Sequence, residues 1–302
     1  MNLPIFPNYA NVCDLSESQI DLNPDDLRPY SDFVFSNIWS WNLDKSFKIS
    51  QLNGNIILFL RDHRSKEFFL SIKGLNMINE TFEIVLNELD KFGVPKALNL
   101  IPEETAVKLD PAKFEITEDR DSFDYVYSID NLIELSGKSF KTKRQLCNFF
   151  ENNNKNVEIS IESISDETKK QILRFISEEN SRRTKLGYTP FAEYEMAALE
   201  NFMTLPEDKN ILAFILRVDG EIVGCSMDQL LPNDFALSHF FKASIAYKGS
   251  YDYLNRKIAI YLKDLGVKYW NWVEDSGLEG LRQAKLSYKP EYLLKKYTVI
   301  RR

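Results

Sequence analysis

The stretch LGVKYWNWVEDSGLEGLRQAKLSYKPEYLLKKYTVI from Leu265 echoes FGVPKALNLIPEETAVKLDPAKFEITEDRDSFDYVYS from Phe92. Each reads as a helix end, a Gly-Val turn, a buried strand, a short acidic helix and a closing strand. Gly93 lines up with Gly266 and Tyr127 with Val299, and the offset drifts by a single residue in between. Self-similarity of this kind marks a duplicated supersecondary unit. The chain is therefore constrained to two α/β halves, of which one is expected to work and the other to support it.

Length agrees: 302 residues make room for two domains of roughly 150 residues each. The net charge of −7 argues against broad non-specific nucleic-acid binding, while leaving room for a local basic groove. Cys13, Cys147 and Cys225 are odd in number and lack metal-ligand spacing, so they read as free thiols in a reducing compartment. No apolar run reaches the roughly 18–20 residues of a membrane span, and the N-terminus lacks a basic-then-apolar signal. A soluble, cytoplasmic protein is expected. No GxxxxGK[ST], HExxH, GxSxG or CxxC pattern occurs, so P-loop hydrolysis, zinc proteolysis and serine hydrolysis lack support.

Periodicity fills in the elements. Asn23-Pro24-Asp25-Asp26 reads as a helix cap, and Asp32 to Asn42 as an aromatic helix. Phe47–Gln51, Asn55–Leu60 and Glu67–Ser71 alternate as strands, the first two joined by the hairpin signal Asn53-Gly54. Asn79 to Phe92 spaces Phe82, Val85, Leu86 and Leu89 as one helix face, ended by Gly93. Ala97–Ile101 is a strand, PEETAVKL a helix with acids in its first turn, and Asp124–Ser128 a strand closing the first half. In the second half, Asp166–Ser181 and Phe191–Met203 are helical. Ile211–Val218 and Glu221–Leu231 form a hairpin about Asp219-Gly220. Phe235–Ala243 is a strand, Lys248 or Gly249 to Leu265 a helix, Lys268–Val273 a strand, Gly277–Lys285 a helix and Leu293–Ile300 the last strand. Between the halves, Asn131 to Asn154 carries Lys138, Lys141, Lys143 and Arg144 ahead of Leu146, Phe149 and Phe150, either as a basic linker helix packed on one domain or as a solvated connector. The expected division is an N-terminal domain over residues 1–130, a linker helix over 131–160 and a C-terminal domain over 161–302.

Tyr125 to Phe150 (YVYSIDNLIELSGKSFKTKRQLCNFF) and Asn271 to Tyr297 (NWVEDSGLEGLRQAKLSYKPEYLLKKY) together resemble a bacterial GNAT-like family. Its best characterised relatives are the C-terminal domains of phosphatidylglycerol lysyltransferases, and it is similar to the Fem peptidyltransferases. The resemblance covers essentially the full chain. It implies an α/β fold with mixed sheets (α+β in character) in two tandem GNAT-like domains, the N-terminal one degenerate and the C-terminal one active. It also implies an acyltransferase that passes an aminoacyl group from a charged tRNA to a small acceptor or a lipid headgroup. Two rival readings remain: an acyl-CoA-dependent N-acyltransferase, and a non-catalytic binding protein that has kept the fold.

CoA enzymes of GNAT type hold pyrophosphate on a Gly-rich loop at a helix start. Here that stretch is Ala246-Tyr247-Lys248-Gly249-Ser250-Tyr251, with bulky Tyr251 where a small residue would sit. No cofactor is expected, and CoA is disfavoured. Lys248, Gly249 and Ser250 are left as a candidate anion site for a tRNA phosphate or a carboxylate, or as an ordinary helix start.

Aminoacyl transfer begins from an activated ester, so it needs positioning, oxyanion stabilisation and a proton acceptor. In a GNAT fold the carbonyl sits where two central strands splay, here Phe235–Ala243 and Lys268–Val273. Alternation puts Leu237, His239 and Phe241 on one face and Ser238, Phe240 and Lys242 on the other. His239 is a candidate base or a structural strand histidine, and Lys242 a candidate anion contact, since a lysine buried at a strand end is costly unless it binds something. Glu274 and Asp275 follow the second splayed strand, at the edge where open sheets present ligand groups. Glu274 is a candidate proton acceptor or ammonium binder, and Asp275 a second acid or a helix cap. Arg282 and Lys285 share a helix face as candidate anchors or solvated charges, with Lys143 and Arg144 as a second tRNA contact. Tyr288 and Tyr292 fill the core or stack on a base, and His63 falls in a surface turn.

Overall fold

The computed structural model describes residues 3–16, 20, 22, 27–92, 96–187, 192–205 and 210–302. Gly93, the Asn23–Asp26 cap and Phe191 lie outside the described residues. The chain forms two compact units. One comprises Met1–Asp124, Glu274–Glu279 and Leu293–Arg302, the other Tyr125–Val273 and Gly280–Tyr292.

The first unit is built on a seven-stranded sheet in the order β1-β2-β3-β4-β5-β14-β6. These strands are β1 (Ala10–Asn11), β2 (Lys48–Leu52), β3 (Asn55–Arg61), β4 (Phe68–Lys73), β5 (Ala97–Pro102), β6 (Phe114–Glu118) and β14 (Lys296–Arg301). The Asn53-Gly54 hairpin forms, with φ of 54° and 82°, the left-handed pair that a two-residue turn requires. Helix α1 (Phe35–Trp41) is preceded by a 3-10 turn at Ser31–Phe33, and α2 (Ile78–Phe92) and α3 (Glu103–Ala106) follow β4 and β5. The α2 stripe Phe82, Val85, Leu86 and Leu89 is buried in one cluster with Ile57, Leu70, Ile72, Leu98, Phe114 and Val299.

The second sheet has the order β8-β9-β10-β11-β12-β7-β13, with β7 (Asp124–Ser128), β8 (Val157–Glu162), β9 (Ile211–Val218), β10 (Glu221–Leu231), β11 (Phe235–Ala243), β12 (Tyr269–Asn271) and β13 (Tyr292–Leu294). Its helices are α4 (Ile129–Glu134), α5 (Lys141–Asn153), α6 (Asp166–Lys185), α7 (Ala192–Phe202), α8 (Ser250–Asp264) and α9 (Glu279–Leu286). Asp219 and Gly220 again take φ of 51° and 86° in the β9–β10 turn.

Position by position the two orders match, down to one parallel pair in each (β4 with β5, β11 with β12) flanked by antiparallel strands. This is the tandem GNAT-like arrangement implied by the resemblance. The closing strands, however, are exchanged. β7 comes from the first half and lies beside β12, and β14 comes from the end of the chain and lies between β5 and β6. Asp124–Ser128 therefore does not close the first sheet, and the expected strand Leu293–Ile300 is split between β13 and β14, in different sheets. The compact units are consequently discontinuous in sequence, unlike the contiguous division at residues 130 and 160. Helix α5 belongs to the second unit and packs along α8.

Candidate functional site

In the second unit β11 and β12 pair in parallel through Phe235 with Tyr269, Ala236 with Trp270 and Leu237 with Asn271, and there β12 ends. Asn271 Oδ1 accepts the Val273 amide at 2.8 Å, and Val273 turns to a φ of 52°. The segment stays attached to β7, since Trp272 N donates to Tyr125 O at 2.9 Å. β11 runs on through Ser238–Ala243, paired with β10 alone. The strands thus part at their C-terminal ends, where open α/β sheets present ligand groups.

A bulge marks the same place. Met227 of β10 faces Phe240 and the next residue, Asp228, faces Ser238, leaving His239 as the extra residue of β11. Bulges re-aim side chains and break strict alternation. As a result both His239 and Phe240 lie on the Phe202 ring of α7, with centroids 4.9 and 5.6 Å away. Lys242, expected on the opposite face from His239, also reaches α7, where its ammonium meets Glu195 at 2.7 Å. His239 Nε2 pairs with Gln229 Oε1 at 3.1 Å. Burial pushes the imidazole down to about 3, so it is neutral at physiological pH.

Behind the splay lies a carboxyl that sequence reasoning missed. Asp228 is fully buried. It accepts from Ser226 Oγ at 2.5 Å, from the Trp270 indole at 2.8 Å, and from Ser238. It thereby ties β10, β11 and β12 together just before β11 and β12 separate. Burial, only partly offset by these donors, raises it to about 7. An aspartate inside the apolar strand IVGCSMDQLL was the available signal.

The C-terminal end of α6 closes on the end of β11. Glu179 is buried, its Oε1 taking the Ile245 amide at 2.9 Å and Arg183 Nε at 3.1 Å, while Oε2 takes Ser244 Oγ at 3.1 Å. Arg183 also reaches Ala243 O at 3.2 Å and Tyr251 Oη at 2.5 Å. The neighbouring Asn180 is only 5 % exposed, and neither end of its side-chain amide has a partner among the described residues.

The α8 N-terminus is covered. Gly249, at φ 87°, caps it so tightly that a Cβ there would stand 2.1 Å from Leu146 O of α5. Ser250, Asp252, Tyr253 and Leu254 of the first turn are buried. Asp252 places a carboxylate there, met by Tyr288 Oη at 2.6 Å and Lys143 Nζ at 3.3 Å. Tyr288 is therefore a core residue, packed on Trp272 at 5.1 Å and carrying the Lys143 ammonium 3.8 Å above its ring.

The remaining candidates disperse. Lys248 is exposed, its ammonium 4.8 Å over Phe149. Arg144 bonds the carbonyls of Leu135 and Gly137. Lys285 is buried, donating to Trp272 O at 2.5 Å and Val273 O at 3.1 Å, and so stabilises the strand end rather than reaching outward. Arg282 is half-buried on α9. Glu274 and Asp275 fall in the first compact unit. Asp275 is buried there, its Oδ1 accepting the Gly277 amide at 2.9 Å with Arg120 at 3.4 Å from Oδ2, the geometry of a turn cap. Glu274 is half-buried, takes Ser276 Oγ at 3.3 Å, and lends its charge to a cluster of Asp32, Asp124 and Lys296. His63, expected at the surface, is half-buried between Trp41 and Phe47, with centroids 5.9 and 6.1 Å away.

A bulged central strand, a parallel pair that parts beyond it and a helix starting at the gap define a GNAT-like acyltransferase fold, here in tandem. The family described as phosphatidylglycerol lysyltransferase, C-terminal, matches residues 26–300, and the chain belongs to it. A conserved protein of unknown function from Bacteroides thetaiotaomicron VPI-5482 is similar at a TM-score of 0.80 and 22% identity, covering 97% of this chain and 99% of that one. L-PGS from Bacillus licheniformis is similar at a TM-score of 0.61 and 16% identity, covering 87% and 86%. FemX is similar at 0.55 and 10%, covering 86% and 90%. Among the described residues no helix is long and apolar enough to cross a membrane.

Proposed function

We propose that this protein is an acyltransferase of the aminoacyl-tRNA-dependent type, passing an aminoacyl group to a small acceptor or a lipid headgroup. Family membership supports the class. The observation that carries the choice of donor is the covered start of α8. A CoA enzyme of this fold presents free amide groups there to a pyrophosphate, whereas here the backbone of α5 lies against Gly249 and the Asp252 carboxylate occupies the first turn. An anion would meet a corner already filled by α5 and by the Asp252 carboxylate, which has Tyr288 and Lys143 as its own partners.

An aminoacyl ester needs no such anchor. Its carbonyl enters the gap beyond Leu237 and Asn271, where the β12-facing edge of Ser238–Ala243 offers backbone N–H groups to the developing oxyanion. The acceptor's nucleophile forms a bond to the carbonyl carbon and loses a proton, and the ester bond to the ribose breaks with its oxygen taking a proton. With His239 held near 3, the protein contributes positioning more than base strength. Glu274, the sequence's candidate base, stays a candidate that this reading does not require.

The test supplies total charged tRNA, labelled in the amino acid, or labelled acetyl-CoA, together with extracted phospholipids and small amines. Label leaving tRNA for an acceptor, with none from acetyl-CoA, is the expected result. Transfer from acetyl-CoA alone, or release from neither donor, overturns the reading.

A further inference from the structure

The orphaned amide of Asn180 is the least explained group in the second unit. Helix α6 lays one stripe, Thr168, Ile172, Phe175, Ile176, Glu179 and Asn180, into the interior. Every other polar member of that stripe is satisfied: Thr168 by Ser165 and Glu162, Glu179 by the β11–α8 loop. Asn180 is 5 % exposed with both Oδ1 and Nδ2 unpartnered among the described residues. A buried amide left this way costs stability that an apolar residue of the same shape would not. Such groups in native structures call for an explanation, and unfavourable polar groups concentrate where function needs them.

Its position supplies that explanation. Glu179 and Arg183, on either side of Asn180, bond Ser244, Ile245 and Ala243, so this end of α6 stands at the splayed end of β11. Tyr251, bonded by Arg183, packs on Phe241 of β11 with ring centroids 5.5 Å apart, and the next residue, Lys242, holds Glu195 at 2.7 Å. A side-chain amide offers one acceptor and one donor a short distance apart, and so pairs best with a group carrying a donor and an acceptor side by side.

We propose that Asn180 is a substrate-reading residue whose amide binds the α-aminoacyl group of the donor, Oδ1 accepting from its ammonium and Nδ2 donating to its carbonyl oxygen. This deepens the proposed function and rests on it only for the identity of the ligand.

The experiment compares the full chain with Asn180→Leu, close to an isostere, by thermal melting with and without millimolar L-amino acid amides, and with the matching des-amino amides as controls. The wild type is expected to melt higher with at least one amino acid amide and not with its des-amino control. N180L is expected to melt about 2–4 °C above the wild type without ligand, as relief of one unsatisfied buried group predicts, and to show no amide response. N180L melting below the wild type, a full amide response in N180L, or no response in the wild type to any amino acid amide overturns the proposal. Should N180L fail to fold, Asn180→Ala decides by binding alone: a lost response supports it and a full one overturns it. An amide response without tRNA-dependent transfer would remove the proposed reaction and leave this site. Wild-type transfer in N180L would do the reverse.

Discussion

The two sheets share a strand order yet treat the parting of their parallel strands in opposite ways. In the first, β4 and β5 meet at Leu70 and Leu98, and the gap beyond is stitched. Ser71 Oγ donates to Leu100 O at 3.1 Å, and Thr105 Oγ1 both donates to Gly74 O at 2.9 Å and accepts the Gly74 amide at 3.2 Å. In the second, β11 bulges at His239, and Lys242 leans outward to a helix carboxylate rather than across to the β12 segment. One buried acid of the second unit stands apart. Asp124 and Asp32 of the first unit share the ammonium of Lys296, and Glu179 and Asp252 of the second meet Arg183 and Lys143, whereas Asp228 is held by two serines and an indole, with no cation among the described residues. At the gap of the first sheet the polar groups Ser71, Gly74 and Thr105 are spent on internal hydrogen bonds. In the second unit the Asn180 amide, beside the end of β11, has no partner among the described residues.

The largest expected effect tests the charge-compensated side. Lys296 is 1 % exposed. Burial alone would push it down, but Asp124, Asp32 and Glu274 outweigh that and hold it above its ordinary value. Lys296→Ala strips the ammonium from both aspartates and is expected to cost about 3–5 kcal/mol, read from urea melts at neutral pH. Asp32 already stands raised to about 6, by burial first and then by its neighbouring acids against the opposing pull of Lys296. Without the lysine, the native state takes up protons more readily than the unfolded chain. The deficit should therefore shrink as pH falls towards 5. A deficit that grows on acidification would break the contrast between the two units.

Asp228 gives the next effect. Its folded value of about 7 stands above the ordinary 3.8, so between those pH values the native state holds a proton that the unfolded chain has released. Stability then falls as pH rises through this window, by up to about 1.4 kcal/mol per pH unit. Asp228→Asn should flatten that slope, measured as the change in urea midpoint between pH 4.5 and 7.5. An unchanged slope would show that the carboxyl is compensated after all.

Much of this architecture was legible in the chain because local rules dominate where it is regular. Asn53-Gly54 and Asp219-Gly220 dictated their hairpins, the Phe82–Leu89 stripe its helix, and the repeat both sheets. The exchange of β7 and β14 was not legible, because a strand's periodicity reports that it is buried and not which sheet buries it. Lys296 carried the missing clue: a lysine entering the last strand needs acids, and those it meets lie in the first half of the chain. The site was less legible still. Alternation placed His239 and Lys242 on opposite faces, and a bulge leaves no mark in composition. Glu274 and Asp275 follow β12 in sequence, but the chain turns at Val273 into the other compact unit. Asn180 and Glu179 sit in the charged run SEENSRRTK, where nothing separates a buried amide from solvated neighbours.

The smallest effect is the sharpest probe of which unit works. Ser71→Ala removes the hydroxyl that spans the gap of the first sheet and leaves the Leu100 carbonyl without that donor, a loss of about 1 kcal/mol. If that gap has become structural, the variant should melt slightly earlier and keep wild-type kcat/KM for tRNA-dependent transfer, since nothing in the second sheet depends on the Ser71 bond. Stability and activity would then separate cleanly: the stitched gap tolerates a lost hydrogen bond without kinetic consequence, while Asn180→Leu in the open one raises the melting temperature and removes transfer. A fall in kcat/KM for Ser71→Ala larger than its stability loss explains would place substrate in the first sheet and reverse the assignment of the two halves.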